Sequence, residues 1–176
     1  MKNVNIRQMV FCALFAALIV VFAQIQVPLP GLVPISLATF GVMMAGLLLG
    51  WKFGLMAVAV YVLLGAVGVP VFAGFKGGLA TLTGPTGGYI IGYLPYAVLA
   101  GLPVKKAQES FWGRLALLAL GTLACYALGT AWFMHATKRT LGESMGLCVL
   151  PFLPGDAVKM ALSSFLAPRL RKAMKA

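Results

Sequence analysis

Long apolar runs, interrupted by glycine, proline or charged residues, make up most of this chain of 176 residues. A helix needs roughly 17 to 25 mostly apolar residues to cross a bilayer. The pattern predicts six such spans, which are 8–25, 33–50, 53–69, 87–104, 113–135 and 147–167. We therefore expect an all-α integral membrane protein, in which a single domain over 1–176 forms one bundle of six transmembrane helices. Five or seven crossings are the alternatives.

The composition supports a lipid environment. Apolar residues make up 61% of the chain and charged residues only 10%, whereas charged residues make up about 25% of ordinary soluble domains. The net charge of +11 would favour nucleic-acid binding if the cations formed one patch. They are instead spread over the chain ends and the short connections, which argues against a nucleic-acid partner.

The distribution of basic residues indicates the orientation, because cytoplasmic loops carry an excess of lysine and arginine. If the N-terminus is cytoplasmic, six crossings place ten basic residues inside, namely Lys2, Arg7, Lys52, Lys105, Lys106, Arg114, Arg169, Arg171, Lys172 and Lys175. Three lie outside, Lys76, Lys138 and Arg139, and Lys159 lies within the last span. This asymmetry predicts that both termini are cytoplasmic.

Asp156 and Lys159 are ionisable residues near the start of the last predicted span. Their spacing of three places them on one face of a helix. An ionisable side chain inside a membrane is costly unless it is paired or faces a polar cavity, so the pair is a candidate binding site. Asp156 accepts hydrogen bonds and Lys159 donates them. The alternative is a purely structural ion pair, or an Asp favoured by the helix dipole beside a Lys that extends to the interface.

The glycine-rich segment 68–89 is the second candidate. Its glycines and prolines do not suit a straight helix, and non-helical backbone at membrane depth is tolerated where it is buried or lines a cavity. The segment supplies aromatic surface and hydrogen-bonding groups, which are Phe72, Phe75 and Tyr89, and Thr83, Thr86 and Lys76. This mixture is typical of a site for a small amphipathic ligand. The alternative is a flexible external loop.

Three unusual elements fall on the outer side of the predicted topology. They are the proline-rich connection 26–36, the segment 68–89 and Asp156. A binding site is therefore expected on that face of the membrane.

The sequence offers little support for catalysis. The three cysteines are widely spaced and lack metal-binding or redox spacing, and the chain has neither a Walker motif nor a dinucleotide-binding glycine motif. We expect no catalytic residue, no metal site, no cofactor and no ATP hydrolysis by this chain. The remote alternative is an intramembrane enzyme that uses Asp156, Lys159 and His135 as acid–base groups.

Four segments together resemble the BioY family of bacterial biotin transporters. They are Val33-Pro-Ile-Ser-Leu37, Gly65-x-x-Gly-Val-Pro-Val-Phe-Ala-Gly74, Gly84-Pro-Thr-Gly-Gly-Tyr89 and Pro154-Gly-Asp-x-x-Lys159. The resemblance covers most of the chain. It implies the substrate-binding S component of an energy-coupling-factor (ECF) transporter, which takes up biotin across the bacterial cytoplasmic membrane. Its partners would be a transmembrane T subunit and two ATPase subunits that use the ATP.

The resemblance also implies which residues bind biotin. The family's site carries over to Asp156 and Lys159, and further to Thr86, Tyr89 and the loop at Phe75. These positions coincide with the two candidates drawn from the residues themselves.

On the first helix, the small residues Ala13, Ala16 and Ala17 resemble the alanine motif by which such S components dock onto the T subunit.

The chain departs from the family pattern at Ser36, where threonine is usual, and at Ala38, where many members carry glutamine. Two alternatives stay open: an S component for another vitamin, and a biotin transporter that works alone.

Overall fold

The computed structural model describes residues 6–27 and 33–174. Helix dominates these ranges. The elements are α1 (Ile6–Gln24), β1 (Gln26–Val27), β2 (Ile35–Ser36), α2 (Ala38–Ala66), α3 (Leu79–Thr83), α4 (Gly87–Ala100), α5 (Lys105–Glu109), α6 (Phe111–Thr137), α7 (Leu141–Cys148) and α8 (Leu153–Ala173). Lys2, Lys175 and positions 28–32 of the proline-rich connection lie outside the described residues.

Several helices are long and apolar enough to cross a membrane. Within the described ranges these are α1, α2 and α6, and α7 with α8 would form a fourth span if that bent pair is counted as one. The helix α4 is apolar but has only 14 residues. These helices agree with the prediction of a multi-pass, mainly helical membrane protein.

The helix α2 reverses direction in its middle. Gly50 has φ 78° and ψ 173°, a conformation that glycine adopts easily. A Cβ atom on Gly54 would lie only 2.9 Å from the Cα atom of Gly46, although residues eight apart in a continuous helix are separated by about 12 Å. The chain therefore folds back at Gly50, and the predicted spans 33–50 and 53–69 correspond to the two halves of α2.

The fourth predicted span, 87–104, is shorter in the structure, where α4 ends at Ala100. Gly101 packs directly on the backbone at the reversal of α2, because a Cβ atom there would lie 2.4 Å from the nitrogen of Trp51. Pro103 follows and disfavours helical geometry in the residue before it. Close packing and proline together end the helix early.

The last predicted span, 147–167, is broken rather than straight. The helices α7 and α8 are bent by 52° at the break, which contains Pro151. A proline inside a helix removes a hydrogen bond and clashes with the preceding turn. The helix α8 then continues to Ala173, beyond the predicted end. The break gives α8 its own first turn, in which Asp156 lies.

The helix α4 packs against both α2 and α6. Glycines on α6 allow the close approach: a Cβ atom on Gly129 would lie 2.3 Å from the ring of Tyr89, and one on Gly121 would lie 2.4 Å from the ring of Tyr96. Small residues at helix contacts are a common means of association in membranes. The packing fixes the position of Tyr89 inside the bundle.

Arg114 lies at the start of the predicted span 113–135, where it was assigned to the cytoplasmic side, and it is buried. Its Nε donates to the carbonyl of Ser164 at 3.0 Å, and its Nη1 donates to the carbonyl of Gln108 at 2.8 Å. This arginine therefore connects α6 to α8 and to α5.

Candidate ligand-binding site

Asp156 and Lys159 lie on one face of α8, as their spacing predicts. Both are buried, with 3% and 7% of their surface exposed. The Nζ of Lys159 donates to Oδ1 of Asp156 at 3.0 Å. A buried ion pair is costly unless further hydrogen bonds satisfy both partners. The stability of the pair therefore depends on hydrogen bonds from surrounding groups.

Three other elements supply those groups. The hydroxyl of Tyr126, on α6, donates to Oδ2 of Asp156 at 2.6 Å. The Nζ of Lys159 donates to the carbonyl of Ser36 on β2 at 2.8 Å and to Oγ1 of Thr39 on α2 at 3.0 Å. The ion pair is therefore held by side chains and backbone from α2, α6 and the β1–β2 hairpin.

A small cavity of about 40 Å³ lies beside the ion pair; we name it the inner cavity. Asp156 and Lys159 line it together with three tyrosines, Tyr89, Tyr93 and Tyr126. The inner cavity thus brings a carboxylate, an ammonium group and aromatic surface together.

A second cavity of about 50 Å³, the outer cavity, adjoins the first. The two share Ser36, Tyr89 and Tyr93 among their lining residues. Lys76 and Thr86, which both belong to the glycine-rich segment, also line the outer cavity. The two cavities therefore form adjacent parts of one site, with a cation in each part.

The five binding residues predicted from the sequence are placed as follows. Asp156 and Lys159 line the inner cavity, Thr86 lines the outer cavity and Tyr89 lines both. Phe75 lines neither, because its side chain is 72% exposed at a turn where its φ is 55°. The fold thus brings four of these residues together and directs Phe75 outward.

Sequence reasoning did not single out Tyr126 or Thr39. Both lie inside apolar runs, where tyrosine and threonine are ordinary helix residues. Their contacts with Asp156 and Lys159 depend on how α2, α6 and α8 pack. Only the cost of burying Asp156 signals that such partners exist.

The predicted docking residues on α1 separate by exposure. Ala13 and Ala17 are exposed, whereas Ala16 is only 3% exposed. With 100° between successive helical residues, Ala16 lies on the side of Ala13 away from Ala17, and that side faces the bundle. The exposed small surface therefore consists of Ala13 and Ala17.

Comparison with known proteins places this chain in a family. The profile of the BioY family matches residues 1–176. The biotin transporter BioY of Thermotoga maritima is 43% identical over 94% of this chain and 96% of that protein. The probable biotin transporter BioY of Pyrococcus horikoshii is 41% identical over 94% of this chain and 96% of its own length.

A solved structure agrees with this assignment. The crystal structure of the S-component for biotin from an ECF-type ABC transporter superposes with a TM-score of 0.88 at 32% identity. The alignment covers 98% of this chain and 94% of the other. The chain therefore belongs to the BioY family, a family of transporters rather than of enzymes.

Proposed function

We propose that this chain binds biotin with high affinity, as the S component of an ECF-type ABC transporter, for uptake across the bacterial cytoplasmic membrane. The observation that carries the proposal is the buried pair of Asp156 and Lys159 beside a tyrosine-lined cavity. Ionisable groups inside a membrane protein mark functional sites by default. The relatives named as biotin transporters support biotin as the ligand.

Biotin matches the chemistry of both cavities. Its ureido ring has two N–H donors and a carbonyl, so Asp156 accepts from an N–H and Lys159 donates to the carbonyl. Its apolar bicyclic body packs against Tyr89 and Tyr93, since aromatic rings contribute large apolar contact areas. Its carboxylate then extends through the outer cavity towards Lys76. No metal or cofactor takes part in this recognition.

The proposed topology has six crossings with both termini in the cytoplasm. They are α1, the two halves of α2, α4, α6, and α7 together with α8. The reversal at Gly50 supports the division of α2 into two crossings. The ten basic residues assigned to the cytoplasmic side support the orientation.

The proposed partners are a transmembrane T subunit and two ATPase subunits, which hydrolyse the ATP. The exposed Ala13 and Ala17 on α1 support a docking face there, because small residues let two membrane helices approach closely. A biotin transporter that works alone is the second candidate. Co-purification with the T and ATPase subunits separates the two, since a solitary transporter would take up biotin without them.

The test of substrate identity is competition. Purified protein is equilibrated with radiolabelled biotin, and excess unlabelled biotin, riboflavin or thiamine is then added. We expect only biotin to displace the label. Displacement by riboflavin or thiamine at similar concentrations would instead assign the chain to another vitamin.

Replacement of Tyr126 with Phe is expected to weaken biotin binding at least about tenfold, because a hydrogen bond to a charged group contributes roughly 1.5–3 kcal/mol. The substitution removes the hydroxyl that donates to Asp156 and keeps the ring. The dissociation constant for biotin measures the effect. The control is Tyr96→Phe, which removes a buried tyrosine hydroxyl that bonds Thr122 and lines neither cavity. Equal losses in both variants would contradict a specific role for Tyr126.

A further inference from the structure

The loop between α2 and α3 closes one side of the outer cavity. Phe72, Ala73 and Lys76 line that cavity. The loop has internal order: the N–H of Phe72 donates to the carbonyl of Lys76 at 2.9 Å, and the N–H of Lys76 donates back at 3.3 Å. Within this turn Gly74 and Phe75 both have positive φ. A non-glycine residue in this region costs about 1–2 kcal/mol, so neighbouring contacts must maintain the turn.

Gln24, the last residue of α1, makes such contacts. Its Oε1 accepts from the N–H of Phe75 at 2.9 Å. Its Nε2 lies within hydrogen-bond distance of the carbonyls of Val71 at 3.1 Å, Phe72 at 3.3 Å and Val20 at 3.2 Å. One half-buried amide side chain therefore contacts both ends of the turn. It also accepts from the N–H of Phe75, the non-glycine residue with positive φ.

Gln24 does not line either cavity. Any effect of Gln24 on a ligand therefore acts through the loop. Phe72, Ala73 and Lys76 of this loop line the outer cavity. The same helix carries the exposed Ala13 and Ala17, so these hydrogen bonds join the proposed docking helix directly to the loop over the site.

We infer that Gln24 is a positioning residue that holds the loop 71–76 closed over the ligand cavity and thereby sets the rate at which biotin leaves. This inference rests on the proposed biotin site. Its physical basis is that the loop has to give up the contacts of Gln24 before the outer cavity opens on that side. Val71 and Phe72 are buried residues, so their carbonyls are stabilised by the donor that Gln24 supplies.

The test uses Gln24→Met, which keeps the length and packing of the side chain and removes its hydrogen bonds. We expect radiolabelled biotin to dissociate about tenfold faster or more from this variant, as follows from the loss of one or more partly buried hydrogen bonds. We also expect faster amide hydrogen exchange in the peptide that spans 71–76, with unchanged exchange in α4 and α6. A general loss of stability would not confine the change to that peptide.

Gln8→Met is the matched control, because Gln8 is an exposed glutamine at the other end of α1. It is expected to leave biotin dissociation and loop exchange at their wild-type values.

If Gln24→Met does not fold, Gln24→Glu decides the question: it keeps the acceptor for Phe75 and loses the donors, so faster dissociation is again expected. A wild-type dissociation rate in a folded Gln24 variant overturns the inference. Failure of the wild-type protein to bind biotin would overturn the proposed function instead, and the exchange measurement would still decide whether Gln24 positions the loop.

Discussion

Replacement of Asp156 with Asn is expected to lower the affinity for biotin by at least about a hundredfold, because each hydrogen bond to a charged group contributes roughly 1.5–3 kcal/mol. The substitution removes the negative charge that accepts from Lys159 and Tyr126 and that would accept from the ureido N–H groups. Lys159 then loses its buried counter-ion, which weakens the ordered arrangement of the site. Equilibrium binding of radiolabelled biotin to the purified variant measures the change.

The control for this substitution is Glu143→Gln. Glu143 is exposed at the start of α7, where its side chain completes a capping box with Thr140, and glutamine also serves at that position. The same chemical change is therefore made far from the cavities, and biotin affinity is expected to stay at the wild-type value. Lys159→Ala provides an independent variant of the site. Wild-type affinity in both Asp156→Asn and Lys159→Ala, with unchanged thermal unfolding temperature, would contradict the proposed site.

Replacement of Ala13 or Ala17 with Trp is expected to abolish assembly with the T and ATPase subunits and leave biotin binding intact. Both alanines are exposed on α1. A tryptophan there would separate two helices that small residues allow to approach closely. Because the cavities lie elsewhere, we expect the purified variants to bind biotin as the wild type does. Co-purification with the partner subunits and uptake of radiolabelled biotin by cells measure the two effects.

Ala127→Trp is the matched control for the docking face. Ala127 is an exposed alanine on α6, so the substitution adds the same bulk to another outward-facing helix surface. Assembly and uptake are expected to persist in this variant. Assembly of the Ala13 and Ala17 variants at wild-type levels, or an equal loss in the Ala127 variant, would contradict docking through α1.

The ion pair was predictable from the sequence for a physical reason. Charged residues are rare in apolar spans because burial is costly, so Asp156 and Lys159 stand out. The same reasoning does not identify Tyr126 or Thr39, because neutral polar residues are inexpensive there. Nor does it identify Gln24, whose partners lie about 50 positions along the chain and are determined by tertiary packing.

The helices were largely predictable and their interruptions only partly so. The reversal at Gly50 coincides with a span boundary that the sequence marks with Gly50, Trp51 and Lys52. The break near Pro151 was missed because apolar residues continue across it. The hairpin of β1 and β2, which pairs Gln26 with Ser36, is too short for an alternating pattern to reveal. The outward direction of Phe75 depends on positive φ angles that its residue type does not favour.

Calorimetric titration of the purified wild-type protein with biotin tests the central claim most directly. The proposed site predicts saturable, tight binding of one biotin per chain. Absence of saturable binding by protein that elutes as a folded species would contradict the account and leave the buried pair of Asp156 and Lys159 as a structural feature of the bundle.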